Sequence, residues 1–454
     1  MTIFKVCIPL LAILFFVSCE DKPAINYVIL SGTIKHPIGD TIKIRGNNIE
    51  YQISLAPDST FLDTLTFLEA GYFTLIHGEI ATLYLEPGYQ IDLKLNTTAF
   101  DESLTFTGVG AEPNNYLIKK LINKEALIPS YKEFYLLEEL EYVSKNQEIK
   151  KIIDRSLDSL KFTSPSFYEL ELRNIEYDYL TMLVYYESSH AYYTENTVFK
   201  ASDTLLAPFL DFDYDNSTDY EYLPSYRNLV ASKFVNYQTI MSYPDTISYV
   251  MDNIKQIKSE NIRNGLMKSF RYYLSPSFGA LTPLYEGIME ISTNEKDKEE
   301  ITIKYEKVKK LSKGAPAPKF NYTNYAGGSL SMEDLLGKYI YFDIWATWCG
   351  PCIQEIPYLK EIEKNYHGSN IQFVSVSIDP IEDLDKWKKF VAEKALGGIQ
   401  LYADGDWSAS IITDYAIEGI PRFILVDPNG NIVTADAPRP SNPQLTALLD
   451  VLTQ

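Results

Sequence analysis

Trp345-Ala346-Thr347-Trp348-Cys349-Gly350-Pro351-Cys352 constrains this chain more than any other stretch. An apolar run containing Tyr341, Phe342 and Ile344 leads into it, and Ile353, Ile356, Leu359 and Ile362 follow at helical spacing. Such a pattern reads as a strand, a turn and a helix, with Cys349 at the helix N-terminus. Unpaired backbone N–H groups and the helix dipole stabilise a thiolate there. A thiolate is the nucleophile of disulfide exchange, and a C-x-x-C pair supplies both the attacking and the resolving sulfur.

The remaining cysteines sharpen this. The chain has four, Cys7, Cys19, Cys349 and Cys352. Cys7 lies in an N-terminal apolar run and Cys19 ends it, which leaves one pair for the rest of the chain. A scaffold held by structural disulfides would have more. The histidines His36, His77, His190 and His367 are scattered, so a zinc site has no support, and no cofactor is called for. A net charge of -20 argues against nucleic-acid binding through a basic surface. At 454 residues the chain is too long for one ordinary core.

Residues 1–18 carry Lys5 followed by the apolar run Val6 to Val17, too short for a membrane-spanning helix and suited to a secretory signal. The run closes as Phe16-Val17-Ser18-Cys19, which resembles a bacterial lipobox, with Phe16 where leucine is more usual. The resemblance implies cleavage before Cys19 and lipidation of it. Residues 19–28 then read as a tether. From 29 to 110 the period is two: Thr41–Arg45, Tyr72–Ile76, Ala81–Leu85, Gln90–Leu95 and Ser103–Phe106 alternate, separated by turns such as Glu86-Pro87-Gly88. Short strands so spaced predict an antiparallel β-sandwich.

Near Ala111 the period becomes 3.6, and an all-α domain is expected over 111–311. Its helices include one of about six turns starting at Ser164-Pro165, and others near Tyr226–Ile240, Thr246–Leu274 and Glu295–Leu311. Many of the 35 tyrosines fall here, where a ring can pack while its hydroxyl stays wet. Asp211, Asp213 and Asp215 alternate as in a calcium loop. The sixth and twelfth positions are Asn216 and Tyr222 rather than the required Gly and Glu, so a solvated turn is expected.

Ser312 to Pro318 is a linker by composition. Residues 312–454 then alternate strands (339–344, 372–378, 400–402, 423–426, 431–434) with helices (351–366, 384–395, 408–415, 443–453). That order predicts a sheet with helices on both faces.

This last segment resembles the thioredoxin fold, specifically the membrane-tethered reductases of the TlpA/ResA type. The features that carry the likeness are Trp348-Cys349-Gly350-Pro351-Cys352, Asp343 six residues earlier, Glu355-Ile356-Pro357, Ile420-Pro421, the strand end Val376-Ser377-Ile378-Asp379-Pro380, and the opening Gly314-Ala315-Pro316-Ala317-Pro318. The resemblance implies a thiol–disulfide oxidoreductase with Cys349 and Cys352 as its redox pair. Cys349, exposed at the helix start, is the expected attacker; Cys352, one turn in and more buried, is the expected resolver. Asp343 and Glu355 are the expected proton acceptors, since a carboxyl in an apolar site can exchange protons near neutrality. Trp348 shapes the surface beside the motif. Pro421 lacks a backbone donor and leaves the Ile420 backbone for an extended substrate. Arg422 is unusual at its position and could tune substrate charge.

The partners so implied are disulfide-bearing envelope proteins, a membrane thiol carrier as electron donor, and the lipid membrane through acylated Cys19. The place implied is the periplasm-facing envelope of a Gram-negative bacterium, and cytochrome c maturation is the task of the relatives. Gly350-Pro351 leans toward reduction, although redox potential sets direction. A second reading is a binding or scaffold lipoprotein in which the thioredoxin-like domain is secondary, because two-thirds of the chain has no reading as catalyst.

Overall fold

The computed structural model describes residues 25–453 apart from 47–48, 68, 197 and 236–245. The expected signal, Cys19 and most of the tether lie outside the described residues. Packing divides the chain into two compact units, one of residues 1–211 with 222–229 and one of 212–221 with 230–454. The helical stretch between the two sheet regions is thus shared between units.

In the first unit, β1 (Tyr27–Lys35), β2 (Thr41–Gly46), β3 (Ile49–Ser54), β4 (Thr60–Thr66), β5 (Gly71–His77), β6 (Glu79–Leu85), β7 (Gln90–Asn96) and β8 (Thr105–Val109) form two four-stranded sheets, ordered β4-β1-β7-β8 and β3-β2-β5-β6. Alternation does the work expected of it. Val28, Leu30, Ile42, Ile44, Leu75, Leu83 and Leu93 point inward and are sealed from water. One pairing departs from the antiparallel expectation: β1 and β7 run parallel, with Leu30 opposite Ile91. β7 leaves the other sheet after β6, so it crosses over and enters beside β1 without a hairpin. The expected strand at Ser103 begins at Thr105 instead, because Phe100–Ser103 forms a helical turn that buries Phe100.

The helices α1 (Ala111–Leu127), α2 (Glu139–Leu157) and α3 (Pro165–Tyr193) complete this unit. α1 closes the sandwich core through Ala111 and Ile118. α3 runs 29 residues, about eight turns rather than six, because no Pro or Gly interrupts it. A buried polar cluster sits among the helices: Lys120 donates to Glu171 at 2.7 Å and lies 3.4 Å from Asp178, while Tyr72 also reaches Glu171.

The second unit opens with helices. The expected single helix over 246–274 is two, α4 (Ile247–Lys255) and α5 (Glu260–Phe270). Asp215 accepts from the backbone N–H of Lys258 (2.8 Å) and Ser259 (2.9 Å), pinning a turn between them. That also accounts for one of the alternating aspartates. α6 (Leu281–Ile291), which the sequence reading missed, and α7 (Glu295–Lys309) pack with Tyr285 and Tyr305 stacked at 4.0 Å.

The C-terminal sheet holds β9 (Asn321–Asn324), β10 (Ser329–Ser331), β11 (Tyr339–Trp345), β12 (Ile371–Ser377), β13 (Ile399–Tyr402), β14 (Arg422–Val426) and β15 (Ile432–Thr434) in the order β10-β9-β13-β12-β11-β14-β15. β11 pairs parallel with β12 and antiparallel with β14, so it is central and its residues are buried on both faces. One face, with Phe342 and Ile344, packs under α9 (Leu384–Glu393), whose Trp387 is fully buried. The other face, with Tyr341, packs under α8 (Gly350–Asn365) and α10 (Pro443–Thr453) through Leu359, Ile362, Leu445 and Leu449. The turn Asp427-Pro428-Asn429-Gly430 joins β14 to β15. Gly430 takes φ 85° there, and Asp427 accepts from the N–H groups of Asn429 and Asn431.

Candidate active site

β11 carries the chain from the centre of the sheet to the start of α8, and the turn between them delivers the cysteines. Cys349 is the N-cap of α8, with φ -84° and ψ 97°; the backbone N–H of Cys352 points at its sulfur at 3.2 Å. Pro351 sits in the first turn, where a missing N–H costs nothing. Cys349 and Cys352 are joined as a disulfide. Their unequal exposure, expected from position alone, is not found: each is 4% exposed. In the disulfide form both sulfurs belong to the buried core of this domain. Trp348 remains 47% exposed and pairs with Trp407, ring centres 6.3 Å apart.

The loop ahead of Cys349 is held by a residue to which the sequence reading gave no role. Asp379 is fully buried just after β12 and accepts from the Thr347 N–H (3.0 Å), the Thr347 hydroxyl (2.6 Å) and the Ser377 hydroxyl (2.7 Å). These bonds fix the backbone two residues before the reactive sulfur. The available signal was Ser377-x-Asp379 at a strand end beside a C-x-x-C loop. The donors appear only when β12 pairs with β11.

Asp343 lies on β11, two residues from Tyr341 and so on the face covered by α8. It is buried, with the Ser375 hydroxyl at 3.4 Å from one oxygen. Burial pushes its carboxyl up to about 7, against the weaker pull of Ser375, and the carboxylates of Glu363 and Glu355 push the same way. Glu355 is buried on α8, but its oxygens are taken by Ser441, whose N–H donates at 3.0 Å and whose hydroxyl donates at 2.9 Å.

The Ile420–Pro421 peptide is cis and immediately precedes β14. Among the described residues no backbone hydrogen bond engages Ile420, because strand pairing with β11 begins at Arg422. Arg422 is not a free cation: it forms an ion pair with Asp436. The helices of the same unit reach this loop. Glu418 accepts from Arg271 at 2.9 Å and Lys304 at 2.6 Å, and Asp436 accepts from the Ser277 hydroxyl at 2.9 Å. Asp343, Trp348, Cys349, Cys352 and Glu355 lie on β11, α8 and the turn that joins them; Ile420 and Pro421 come to this end of β11 only through its pairing with β14.

A sulfur pair at a helix N-terminus is suited to the exchange of a dithiol with a disulfide. The class is a thiol–disulfide oxidoreductase on a thioredoxin-like fold.

Comparison with known proteins narrows the class. Residues 312–450 match the family model described as Redoxin. The chain is 28% identical over 144 residues to the thiol-disulfide oxidoreductase ResA of Bacillus cereus, covering 32% of this chain and 80% of that protein, and matches ResA of Bacillus anthracis equally well. The thioredoxin domain of a thiol-disulfide oxidoreductase from Bacteroides vulgatus is 30% identical, covering 32% of this chain and 99% of that one, with a TM-score of 0.29. The C-terminal region is a redoxin domain with ResA-like thiol–disulfide oxidoreductases as homologues.

Proposed function

We propose that this chain reduces disulfides of envelope proteins on the outer side of a membrane to which acylated Cys19 tethers it. Cys349 attacks the substrate disulfide, and the resulting mixed disulfide is resolved by Cys352 after Asp343 accepts its proton. Glu355 tunes Asp343 through its charge. Trp348 and the Ile420-Pro421 backbone hold the substrate strand. Each turnover closes Cys349–Cys352, so a membrane thiol carrier must reopen it by donating two electrons. Substrates resembling apocytochrome cysteines fit the kinship with ResA.

The observation that carries this reading is Cys349 bonded to Cys352 as the N-cap of α8. The signal and lipobox pattern of residues 1–19 supports the location, and among the described residues no helix is long and apolar enough to cross a membrane.

The test is reduction of insulin disulfides by the full chain released from lipid, beside Cys349→Ser. The variant should be inactive, and equal rates would sink the proposal. Cys352→Ser expressed in the envelope should accumulate mixed disulfides through Cys349, and mass spectrometry of these names the substrates.

A further inference from the structure

Beside Asp343 the fold leaves a small recess, with room for about one water, between α8 and the loop that enters β13. Its polar lining is Asp343, Ser375, Gln400, Lys360 and Glu363. Of the two carboxylates in it, Asp343 is at the buried end and Glu363 is partly exposed. We propose that Glu363 relays protons between Asp343 and solvent through this recess, making the recess the proton path of the dithiol chemistry.

Three further observations support the relay. Gln400 is 5% exposed; its amide nitrogen donates to the Gly397 carbonyl at 2.7 Å, while its buried Oε1 has no partner. An orphaned acceptor in a polar recess wants a donor, which a water or a protonated carboxyl supplies. Next, the chain makes room for the Glu363 carboxylate. A Cβ at Gly397 would lie 2.3 Å from Glu363 Oε2, so a side chain there would push the carboxylate aside; Gly398 is set by its φ of 61° and by the Phe373 carbonyl, 2.7 Å from where its Cβ would stand. Finally, burial pushes Glu363 up to about 7 against the opposing charge of Lys360, level with Asp343. Two carboxyls of matched affinity can hand a proton back and forth with little loss of free energy.

The other ionisable groups around Asp343 are less suited. Glu355 faces it from α8 but is held by Ser441. Tyr341, on the same strand face, is pushed far above its usual range by burial and donates to the Pro438 carbonyl. Lys360 donates to the Lys394 carbonyl. Of the two partly exposed polar side chains in the recess, Glu363 and Lys360, only Glu363 is a carboxyl that can take up the proton Asp343 gives.

This inference rests on the dithiol reading. When Cys349 has formed the mixed disulfide, one substrate sulfur leaves as a thiolate. Cys352 then gives its proton to Asp343 and attacks Cys349 Sγ. The mixed disulfide breaks, Cys349–Cys352 closes, and the second substrate sulfur leaves with the electron pair. Two electrons have gone to the substrate, and the proton on Asp343 passes through the recess to Glu363 and out. Glu363 acts through Asp343 and is a positioning residue for the proton, not a catalytic one.

The experiment follows oxidation of the reduced full chain by insulin in weak buffer across pH 6–9, for parent, Glu363→Gln, Glu363→Asp and Cys349→Ser. Glu363→Gln should slow the reaction about tenfold near pH 7. Added imidazole, a small mobile base, should restore the rate while leaving the parent unchanged. Glu363→Asp should lie between the two. Equal rates for Glu363→Gln and parent would overturn the relay, as would a loss that is uniform with pH and that imidazole does not restore. A parent no faster than Cys349→Ser overturns the dithiol reading itself and takes the relay with it.

Discussion

Replacing Asp343 by Asn should stabilise the redoxin domain, by an amount that grows from about pH 4 to about pH 7 and holds level above that. The carboxyl has its folded value near 7 because β11 and α8 shut it from water, whereas its ordinary value is 3.8. Between those two values the folded state holds a proton that the unfolded state has released. Stability therefore falls as pH rises from about 4 to about 7 and levels off above that. A gap of about 3 units corresponds to roughly 4 kcal/mol of destabilisation by the ionised Asp343. Asn has no charge to desolvate. The variant should be more stable than the parent by up to roughly 4 kcal/mol at pH 9, and the advantage should vanish near pH 4.

The assay is urea unfolding followed by tryptophan fluorescence at pH 4–9. All four tryptophans, Trp345, Trp348, Trp387 and Trp407, lie in the redoxin domain, so the signal reports that domain and not the sandwich. Glu363 also titrates near 7 and contributes to the slope of both proteins, so the difference between them reports Asp343 together with its coupling to Glu363. Parallel curves over the whole range would refute the argument, because they would mean that Asp343 ionises as freely folded as unfolded.

Two further perturbations test the supports of the site. Asp379→Ala leaves the Thr347 N–H and two hydroxyls without their acceptor in a buried place, so it should cost about 3 kcal/mol in the same unfolding assay and slow insulin reduction by loosening the loop before Cys349; unchanged stability would contradict the role assigned to the carboxylate. Glu418→Ala removes ion pairs to Arg271, 41% exposed, and to Lys304, only 12% exposed, so the cost should be about 1–3 kcal/mol, above that of a wholly exposed pair, and unchanged stability would contradict a role for the pair with Lys304.

Much of the fold was legible because periodicity reports burial directly. The period of two before Gly110 yields two sheets, and the period of 3.6 after it yields helices. What escaped were features set by partners distant in sequence. The parallel pairing of β1 with β7 depends on where a crossing strand enters. The split between α4 and α5 depends on Asp215, some 43 residues before Lys258. β9 and β10 are four- and three-residue strands with no room to show a period. α6 begins at Leu281-Thr282-Pro283, with a proline in its first turn, where its missing N–H is tolerated.

At the site the same division holds. The order strand, Cys-Gly-Pro-Cys, helix determined by itself that a sulfur pair would stand at a helix N-terminus, because the geometry of one local turn decides it. The dithiol chemistry follows from that alone. Tertiary structure decided the surroundings of each group the sequence singled out. It placed Glu355 against Ser441, gave Asp379 the task of fixing the loop, tied Arg422 to Asp436, and put Glu363 in a recess with Asp343. Those assignments depend on the burial and the charges that meet when β11, β12, β13, β14 and α8 pack together. Desolvation and pairing are properties of the packed neighbourhood, and no single stretch of sequence contains them.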